Sequence, residues 1–189
     1  MLRPAVFLDR DDTLIVNSDL PAPPPPANPG DIISPDDVRP LPGAVEACAQ
    51  LRDAGYALVV ITNQGVVARG GIDIDALGAI HERLHDVFTD AHGSRLLDAI
   101  YACPYHPRGS VEPFAREHPW RKPAPGMILA AADTLSIDLA RSWLVGDAAR
   151  DIDAGMAAGI SPDRCLRVGP DGEMPTVAEA AAHIKSATS

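Results

Sequence analysis

The stretch Phe7-Leu8-Asp9-Arg10-Asp11-Asp12-Thr13-Leu14 decides the fold of this chain. It follows the apolar run Ala5–Leu8 and carries two carboxylates, Asp9 and Asp11, two residues apart. Side chains alternate along a strand, so both carboxylates can face one site only if the chain begins to turn after Asp9. Close carboxylates repel each other unless a cation or a shared proton lies between them, which suits a Mg²⁺ site or covalent phosphoryl transfer. An ordinary acidic turn is the alternative interpretation.

Polar groups also lie at the predicted ends of later strands or at a helix start. They are Thr62-Asn63-Gln64-Gly65 after the run Ala57–Ile61, Arg121-Lys122-Pro123 before a helix near Pro125, and Asp147 with Asp151 after the run Ser142–Gly146. Taken alone, Thr62-Asn63 is more typical of a strand end and Arg121-Lys122 of a solvated basic pair. Open α/β sheets bind ligands at the carboxyl ends of their strands, so the joint occurrence of these groups favours one shared site.

Strand and helix patterns alternate along the chain. The predicted strands are Ala5–Leu8, Ala57–Ile61, Asp98–Ala102, Ser142–Val145 and Cys165–Val168, and the predicted helices are Gly43–Ala54, Ile74–Ala91, Gly126–Leu135, Asp151–Ala158 and Val177–Lys185. This alternation predicts an α/β fold with a Rossmann-like, doubly wound and mainly parallel sheet. A chain of 189 residues with 46% hydrophobic content can form one good core, so we expect a single domain over residues 1–189.

The overall charge limits the partners that the chain is expected to bind. A net charge of −10 disfavours nucleic acid and anionic membrane surfaces, and no apolar run is long enough to span a bilayer. A small anionic substrate would need a locally positive pocket, for which Arg69, Arg121 and Lys122 are candidates. The three cysteines are odd in number and widely separated, which is typical of a reducing compartment. We expect a cytoplasmic monomer.

Two irregular segments interrupt the pattern. Residues 19–31 contain six prolines, which favours extended polyproline structure or disorder. We expect this insertion to be a solvated loop at the mouth of the site rather than a substrate cover or a partner ligand. Residues 103–122 are predicted to form a long irregular loop between the third strand and the next helix.

The four polar segments described above resemble, in this order, the four motifs of the haloacid dehalogenase (HAD) superfamily of phosphatases. The stretches Ala68-Arg69-Gly70 and Cys103-Pro104-Tyr105-His106-Pro107 are similar to those of the capless HAD phosphatases that act on heptose bisphosphates and histidinol phosphate. The resemblance implies a HAD-like fold without a cap domain. It also implies Mg²⁺-dependent hydrolysis of a small phosphorylated metabolite, and the resemblance is greatest to the enzymes that act on heptose bisphosphates.

Two alternatives remain open at this point. Histidinol phosphate or another small phosphomonoester is the alternative substrate, and a non-catalytic sugar-phosphate-binding scaffold is the alternative of a different class. A degenerate enzyme would have lost at least one essential group, whereas this chain retains all of them: Asp9, Asp11, Thr62, Lys122 and Asp147. We therefore favour an enzyme.

The resemblance also implies a role for each polar residue of the predicted site. Asp9 would be the nucleophile that forms an aspartyl-phosphate, and Asp11 would act as general acid and then as general base. The remaining implied roles are Mg²⁺ binding by Asp9, the Asp11 carbonyl and Asp147, phosphate binding by Thr62, Asn63 and Lys122, substrate binding by Arg69 and Arg121, and orientation of the metal site by Asp151.

Two positions depart from the pattern of the family. Asp12 stands where a glycine is usual, and a third carboxylate there could raise the pKa values of its neighbours or tighten metal binding. Ala148 stands where related phosphatases carry a basic residue. One positive charge is therefore missing from the predicted pocket.

The family further implies a structural zinc loop, from which this chain departs. The four ligand positions fall on Cys103, Tyr105, His118 and Trp120, and His106 as a substitute would still leave the shell one ligand short. Structural zinc needs four nitrogen or sulfur donors. We therefore expect no zinc and a loop that is ordered by the packing of Tyr105 and Trp120.

Overall fold

Five parallel strands form one sheet in the computed structural model of the protein, which describes residues 2–187. The strands are β1 (Ala5–Leu8), β2 (Ala57–Asn63), β3 (Ala99–Cys103), β4 (Trp143–Gly146) and β5 (Cys165–Arg167). Their order across the sheet is β3-β2-β1-β4-β5, so β1 lies at the centre. Phe7 of β1 pairs with Val59 of β2 on one side and with Leu144 of β4 on the other. The predicted α/β fold is confirmed.

Helices cover both faces of the sheet. They are α1 (Ala44–Asp53), α2 (Val66–Arg69), α3 (Ile74–Val87), α4 (Gly126–Leu135), α5 (Ala149–Ala157) and α6 (Val177–Ser186), with 3₁₀ turns at Pro35–Asp37, Leu139–Arg141 and Pro162–Arg164. Val6 and Leu8 pack into the core under α1, α3 and α6, whereas Ala5 and Phe7 pack into the core under α4 and α5. Because side chains alternate along β1, this central strand contributes apolar residues to the core on both faces of the sheet. Within residues 2–187, no helix has the length and apolar character needed to cross a membrane.

The end of α3 differs from the sequence prediction. The helix stops at Val87 and not at Ala91. The Asp90 carboxylate accepts hydrogen bonds from the backbone amides of His92 and Ser94, each 2.8 Å long. Local side-chain bonds of this kind compete with helical bonds, and the apolar periodicity that predicts the longer helix does not report them.

Two helices at the carboxyl edge of the sheet also differ from the prediction. α5 begins at Ala149 rather than at Asp151, because the Asp151 carboxylate accepts a hydrogen bond from the Ala148 amide at 3.0 Å and stabilises the first turn. The sequence pattern does not predict α2, which is a single turn and too short to show helical periodicity. The predicted strand boundaries are shifted by no more than two residues.

The second half of the proline-rich insertion, residues 19–31, packs against the rest of the protein. Pro24, Pro25 and Pro26 are exposed, as expected for a solvated loop, but Ala27 is buried in a small cluster with residues of α2 and α3. The Asp31 carboxylate then accepts two hydrogen bonds from Arg69 Nη2, at 2.7 and 2.6 Å. Most of residues 19–31 is exposed, as predicted for a solvated loop, and an apolar anchor and an ion pair fix its end.

Candidate active site

Asp9 directly follows the central strand and is almost completely buried. Its backbone amide donates a hydrogen bond to the Val145 carbonyl at 2.9 Å, which continues the pairing of β1 with β4. Its carboxylate oxygen Oδ1 lies 2.6 Å from the Lys122 ammonium. A buried carboxylate needs a compensating charge, which Lys122 supplies while it fixes the Asp9 side chain in place.

Lys122 uses its ammonium group to join three elements. It donates to Asp9 at 2.6 Å and to the Ile61 carbonyl at 2.8 Å, and it lies 2.7 Å from Asp151 Oδ1. Burial by itself would lower the pKa of Lys122, but the Asp9 and Asp151 carboxylates outweigh this effect and raise it. An ammonium group has three donor hydrogens, and here each has an oxygen within reach. Lys122 is thus a charged, rigid part of the site.

The backbone of Lys122 is held by the Asn63 side chain. The Lys122 amide donates to Asn63 Oδ1 at 3.0 Å, and Asn63 Nδ2 donates to the Lys122 carbonyl at 3.1 Å. This reciprocal pair fixes the loop that carries the ammonium to the end of β2. The family resemblance implied phosphate binding by Asn63, whereas nothing in the sequence indicated the bond between these two residues, which are 59 positions apart.

Three carboxylates converge beside this ammonium group. Asp9, Asp147 and Asp151 each offer an oxygen, and these atoms all lie within 4.8 Å of one another. Asp147 Oδ1 is buried and has no hydrogen-bond partner among residues 2–187. Burial, then Asp9, then Asp151 raise the pKa of Asp147 to about 7. Because Asp151 is already paired with Lys122, the unsatisfied oxygen of Asp147 next to Asp9 fits a hard divalent cation.

Asp11 is held by two side chains to which the sequence analysis assigned no role. Arg10 donates to both of its carboxylate oxygens, from Nε at 2.9 Å and from Nη2 at 3.2 Å. Gln64 Nε2 donates to Asp11 Oδ2 at 3.0 Å. Burial raises the pKa of Asp11, and Asp9 raises it further, while Arg10 acts in the opposite direction. Arg10 itself is 1% exposed, and a buried arginine next to two aspartates is not a feature that a strand-end pattern predicts.

Gln64 also reaches the predicted phosphate-binding residue Thr62. Gln64 Nε2 donates to Thr62 Oγ1 at 2.8 Å, and both side chains are buried. The amide therefore lies between the predicted acid–base residue and the end of β2. Gln64 belongs to the Thr62-Asn63-Gln64-Gly65 stretch, but no function for its side chain was predicted from the sequence.

Asp12 shapes the turn that follows the two aspartates. Its φ angle is 54°, in the left-handed region where a residue with a side chain is strained. Its carboxylate accepts hydrogen bonds from the backbone amides of Asn17 and Ser18, each at 3.0 Å, and from the Ser18 hydroxyl. These bonds offset the strain and explain how this position tolerates an aspartate where relatives were expected to have glycine.

The two predicted substrate-binding arginines, Arg69 at the end of α2 and Arg121 before α4, are both engaged by the protein. Arg69 pairs with Asp31 as described, and Arg121 Nη1 donates to the Tyr105 carbonyl at 3.2 Å. A further arginine, Arg167 at the end of β5, donates from Nε to the Asp147 carbonyl at 2.9 Å. Arg167 was not predicted from the sequence. It brings a positive charge next to Ala148, the position at which related phosphatases carry a basic residue.

Tyr105 and Trp120 occupy two of the four positions at which the family resemblance implies zinc ligands. The Tyr105 ring stacks on His118, with ring centroids 4.0 Å apart and planes 10° apart. Trp120 packs against Tyr101 at 5.8 Å, and the Arg116 guanidinium lies 4.8 Å above the Tyr105 ring. These contacts agree with the expected ordering of the loop by packing. The absence of zinc stays a prediction.

Comparisons with known proteins show the family to which this chain belongs. The HAD-hydrolase-like family model matches residues 119–162, which include Lys122, Asp147 and Asp151. Over 166 residues, the chain is 37% identical to a protein of Yersinia pestis and 38% identical to one of Escherichia coli K12. These alignments cover 88% of this chain and 81% and 80% of the two relatives. The chain therefore belongs to the HAD superfamily, and it is a phosphatase.

The names and structures of the relatives are more specific. Both are D-glycero-β-D-manno-heptose-1,7-bisphosphate 7-phosphatases. The structure resembles that of D,D-heptose 1,7-bisphosphate phosphatase from B. bronchiseptica in complex with magnesium and phosphate, with a TM-score of 0.75 and 31% identity over 97% of this chain and 99% of that one. It also resembles a HAD-like phosphatase from Mesorhizobium loti, with a TM-score of 0.77 and 31% identity over 99% of this chain and 86% of the other.

Proposed function

We propose that this phosphatase is Mg²⁺-dependent and removes the phosphate at position 7 of a heptose 1,7-bisphosphate through an aspartyl-phosphate at Asp9. The observation that carries the proposal is the buried contact of the Asp9 carboxylate with Lys122 next to the partnerless oxygen of Asp147. The names of relatives aligned over most of both chains support the choice of substrate.

The first half of the reaction forms a bond from Asp9 to phosphorus. One carboxylate oxygen of Asp9 attacks while the bond from phosphorus to the sugar oxygen breaks, and Asp11 donates its proton to that leaving oxygen. The Thr62 hydroxyl would bind a phosphoryl oxygen, and the Lys122 ammonium would supply a positive charge beside the phosphoryl group. Phosphoryl transfer depends mainly on positioning and electrostatics, which a buried and fully hydrogen-bonded ammonium group provides.

The second half of the reaction regenerates the enzyme. Asp11, now ionised, takes a proton from water, the water oxygen attacks phosphorus, and the bond from Asp9 to phosphorus breaks to release inorganic phosphate. The contacts that Arg10 and Gln64 make with the Asp11 carboxylate support this ionised form. Asp9, Asp147 and the Asp11 carbonyl would hold Mg²⁺, which neutralises phosphoryl charge when it is bound.

The positions of two arginines and the state of the cysteines support further proposals. Arg69 and Arg121 carry the positive charge and the N–H donors that a second phosphate or sugar hydroxyls would need, so we propose that they contact the remainder of the substrate. The three cysteines are free and buried, which supports a cytoplasmic location. Small phosphorylated metabolites are the proposed partners, with no nucleic acid or membrane partner, and the proposed state is a monomer.

The test is phosphate release from a substrate panel with and without EDTA. The heptose 1,7-bisphosphate should have the highest kcat/KM, and EDTA should abolish turnover. The Asp9→Asn variant keeps the shape of the side chain but lacks the attacking charge, so it should fold, as judged by its thermal melt, and be inactive. Clear turnover by a folded Asp9→Asn variant would refute the assignment of Asp9 as the nucleophile. A higher kcat/KM for histidinol phosphate than for the heptose 1,7-bisphosphate would refute the proposed substrate.

A further inference from the structure

The Gln64 side chain is the one polar bridge between the acid–base residue and the phosphate-binding residue within the described part of the chain. Its Nε2 atom lies 3.0 Å from Asp11 Oδ2 and 2.8 Å from Thr62 Oγ1. Gln64 is 3% exposed, so its amide has little access to water. The Gln64 backbone amide also donates to the Cys103 carbonyl at 2.8 Å, which fixes the base of the side chain. The bridge is therefore built into the end of β2.

The orientation of the amide follows from the chemistry of Asp11. An ionised carboxylate can only accept hydrogen bonds, so the Gln64 nitrogen, and not its oxygen, has to face Asp11. The amide nitrogen carries two hydrogens, and the second one points to Thr62 Oγ1. Asp11 thus fixes the orientation of the Gln64 amide. This orientation places an N–H donor, and not the amide oxygen, next to Thr62 Oγ1.

The contact determines where the hydroxyl proton of Thr62 points. Because Thr62 Oγ1 accepts a hydrogen bond from Gln64, its own proton has to be directed away from Gln64. Within residues 2–187, no acceptor for that proton is found. The proton is therefore available to a phosphoryl oxygen, and a Gln64 amide turned the other way would consume it.

Gln64 also restrains Asp11 from a direction that Arg10 does not cover. Arg10 is adjacent to Asp11 in sequence and binds both carboxylate oxygens. Gln64 approaches from a different strand, 53 residues away, and binds only Oδ2. The two donors together fix the plane of the carboxylate relative to the end of β2.

We propose that Gln64 is a positioning residue that aligns the Asp11 carboxylate and the Thr62 hydroxyl proton through one amide group. This inference rests on the proposed function, in which Asp11 protonates the leaving oxygen and Thr62 binds phosphate. Gln64 itself stays neutral and exchanges no proton in either half of the reaction. Its contribution should depend on how much the leaving group needs a proton.

The experiment uses Gln64→Met, which keeps the length of the side chain but removes the donor, with Gln50→Met on α1 as the matched control. Each variant is assayed with an alkyl monoester, whose leaving group needs protonation, and with p-nitrophenyl phosphate, whose leaving group does not. General acid catalysis contributes on the order of 10²–10⁴-fold, so kcat for the alkyl ester should fall roughly 10–100-fold when the acid is misaligned. With p-nitrophenyl phosphate the fall in kcat should be several times smaller, and Gln50→Met should match the wild type.

Two double-mutant comparisons separate positioning from a general loss of structure. In the Asp11→Asn background, Gln64→Met should lower kcat for the alkyl ester no more than it lowers kcat for p-nitrophenyl phosphate in the wild-type background, because only its contact with Thr62 is left to act. The dissociation constant of inorganic phosphate, measured by calorimetry, should rise about 3–10-fold in Gln64→Met, as expected for one misdirected hydrogen bond. It should not rise further in the Thr62→Val background.

The outcomes that overturn the inference are equally specific. Equal losses of kcat with both substrates, or an additive loss in the Asp11→Asn background, would show that Gln64 has only a structural role. If Gln64→Met does not fold, Gln64→Asn makes the same comparison, because it keeps the amide but shortens its reach. An inactive Asp9→Asn variant together with a wild-type Gln64→Met variant would refute the positioning role alone, whereas an active Asp9→Asn variant would refute the proposed function.

Discussion

The floor of the active site and its rim are held together by different forces. The floor consists of Asp9, Lys122, Asp147 and Asp151, of which Asp147 is partly exposed and the other three are buried. It has close ion pairs of 2.6 and 2.7 Å. The rim, which consists of residues 19–31 and 104–121, is held by stacked rings, a buried alanine and one ion pair between partly exposed side chains. Charge fixes the floor, whereas packing fixes the rim. Changes in the rim should therefore affect shape and selectivity and leave the chemistry in place.

The largest expected effect comes from removing the central charge of the floor. Lys122→Met should lower kcat/KM by at least roughly 10²–10³-fold, because a preorganised positive charge beside the phosphoryl group is lost. It should also lower the free energy of unfolding by about 3–5 kcal/mol, because Asp9 and Asp151 lose their shared partner in a buried setting. Enzyme assays and urea denaturation measure the two effects.

Lys185→Met on α6 is the matched control, since Lys185 is exposed and far from the sheet edge that carries the site. It should change neither quantity appreciably. A Lys122→Met variant with wild-type stability would show that charge does not hold the floor together, and the contrast with the rim would be lost.

The second effect concerns the pH dependence of Mg²⁺ binding. The pKa of Asp147 is raised to about 7, first by burial and then by Asp9 and Asp151. Below this pH the carboxyl group is protonated and does not bind a cation, so the dissociation constant for Mg²⁺ should rise roughly tenfold for each pH unit below the pKa. Above the pKa it should be constant.

Calorimetric titration of the wild type at several pH values tests this expectation. Asp147→Asn should bind Mg²⁺ weakly at every pH, and Asp163→Asn, an exposed position, should follow the wild type. A dissociation constant that does not change on either side of the pKa would show that Asp147 does not take part in binding.

The smallest effect is expected in the rim. Tyr105→Leu removes the stacking on His118 and the contact with Arg116, which should lower the free energy of unfolding by about 1–2 kcal/mol. The kcat for p-nitrophenyl phosphate should stay within about twofold of the wild type, because Lys122 is held separately by Asn63. The KM for the heptose bisphosphate should rise, since the Tyr105 carbonyl holds Arg121.

Tyr56→Leu provides the control for this comparison, because Tyr56 is buried on the other side of the sheet. It should lower stability without changing the KM for any substrate. A loss of kcat in Tyr105→Leu as large as that in Lys122→Met would show that floor and rim are one unit.

The same division separates what the sequence could predict from what it could not. Apolar runs and the polar residues after them correctly predicted the sheet and placed Asp9, Thr62 and Asp147 at one edge, because parallel strands share the direction of their ends. The pairing of side chains across that edge was not predictable. Asn63 binds Lys122 across 59 positions, Gln64 binds Asp11 across 53, and Arg69 binds Asp31 across 38. Such pairs depend on the packed arrangement of the strands and leave no periodic trace in the sequence.

Burial was the second limit of sequence reasoning. Arg10 and Asp151 are buried although both are charged residue types. From the sequence, Arg10 was only part of a motif, and Asp151 was expected to orient the metal site. Charged residues are rarely buried without partners, so composition alone favours the surface for them. Their partners, Asp11 and Lys122, come from the folded site itself.

The enclosure of Lys122 has a practical consequence for coupling chemistry. The chain contains only two lysines, Lys122 and Lys185, and these have opposite surroundings. An acylating reagent needs a free, uncharged amine, whereas Lys122 is shielded from solvent and its raised pKa keeps it charged. Lys185 lies exposed on the last helix. Of the two side chains, amine-reactive dyes or resins should select Lys185, so that the folded protein can be tagged or immobilised through its last helix with the catalytic pocket open.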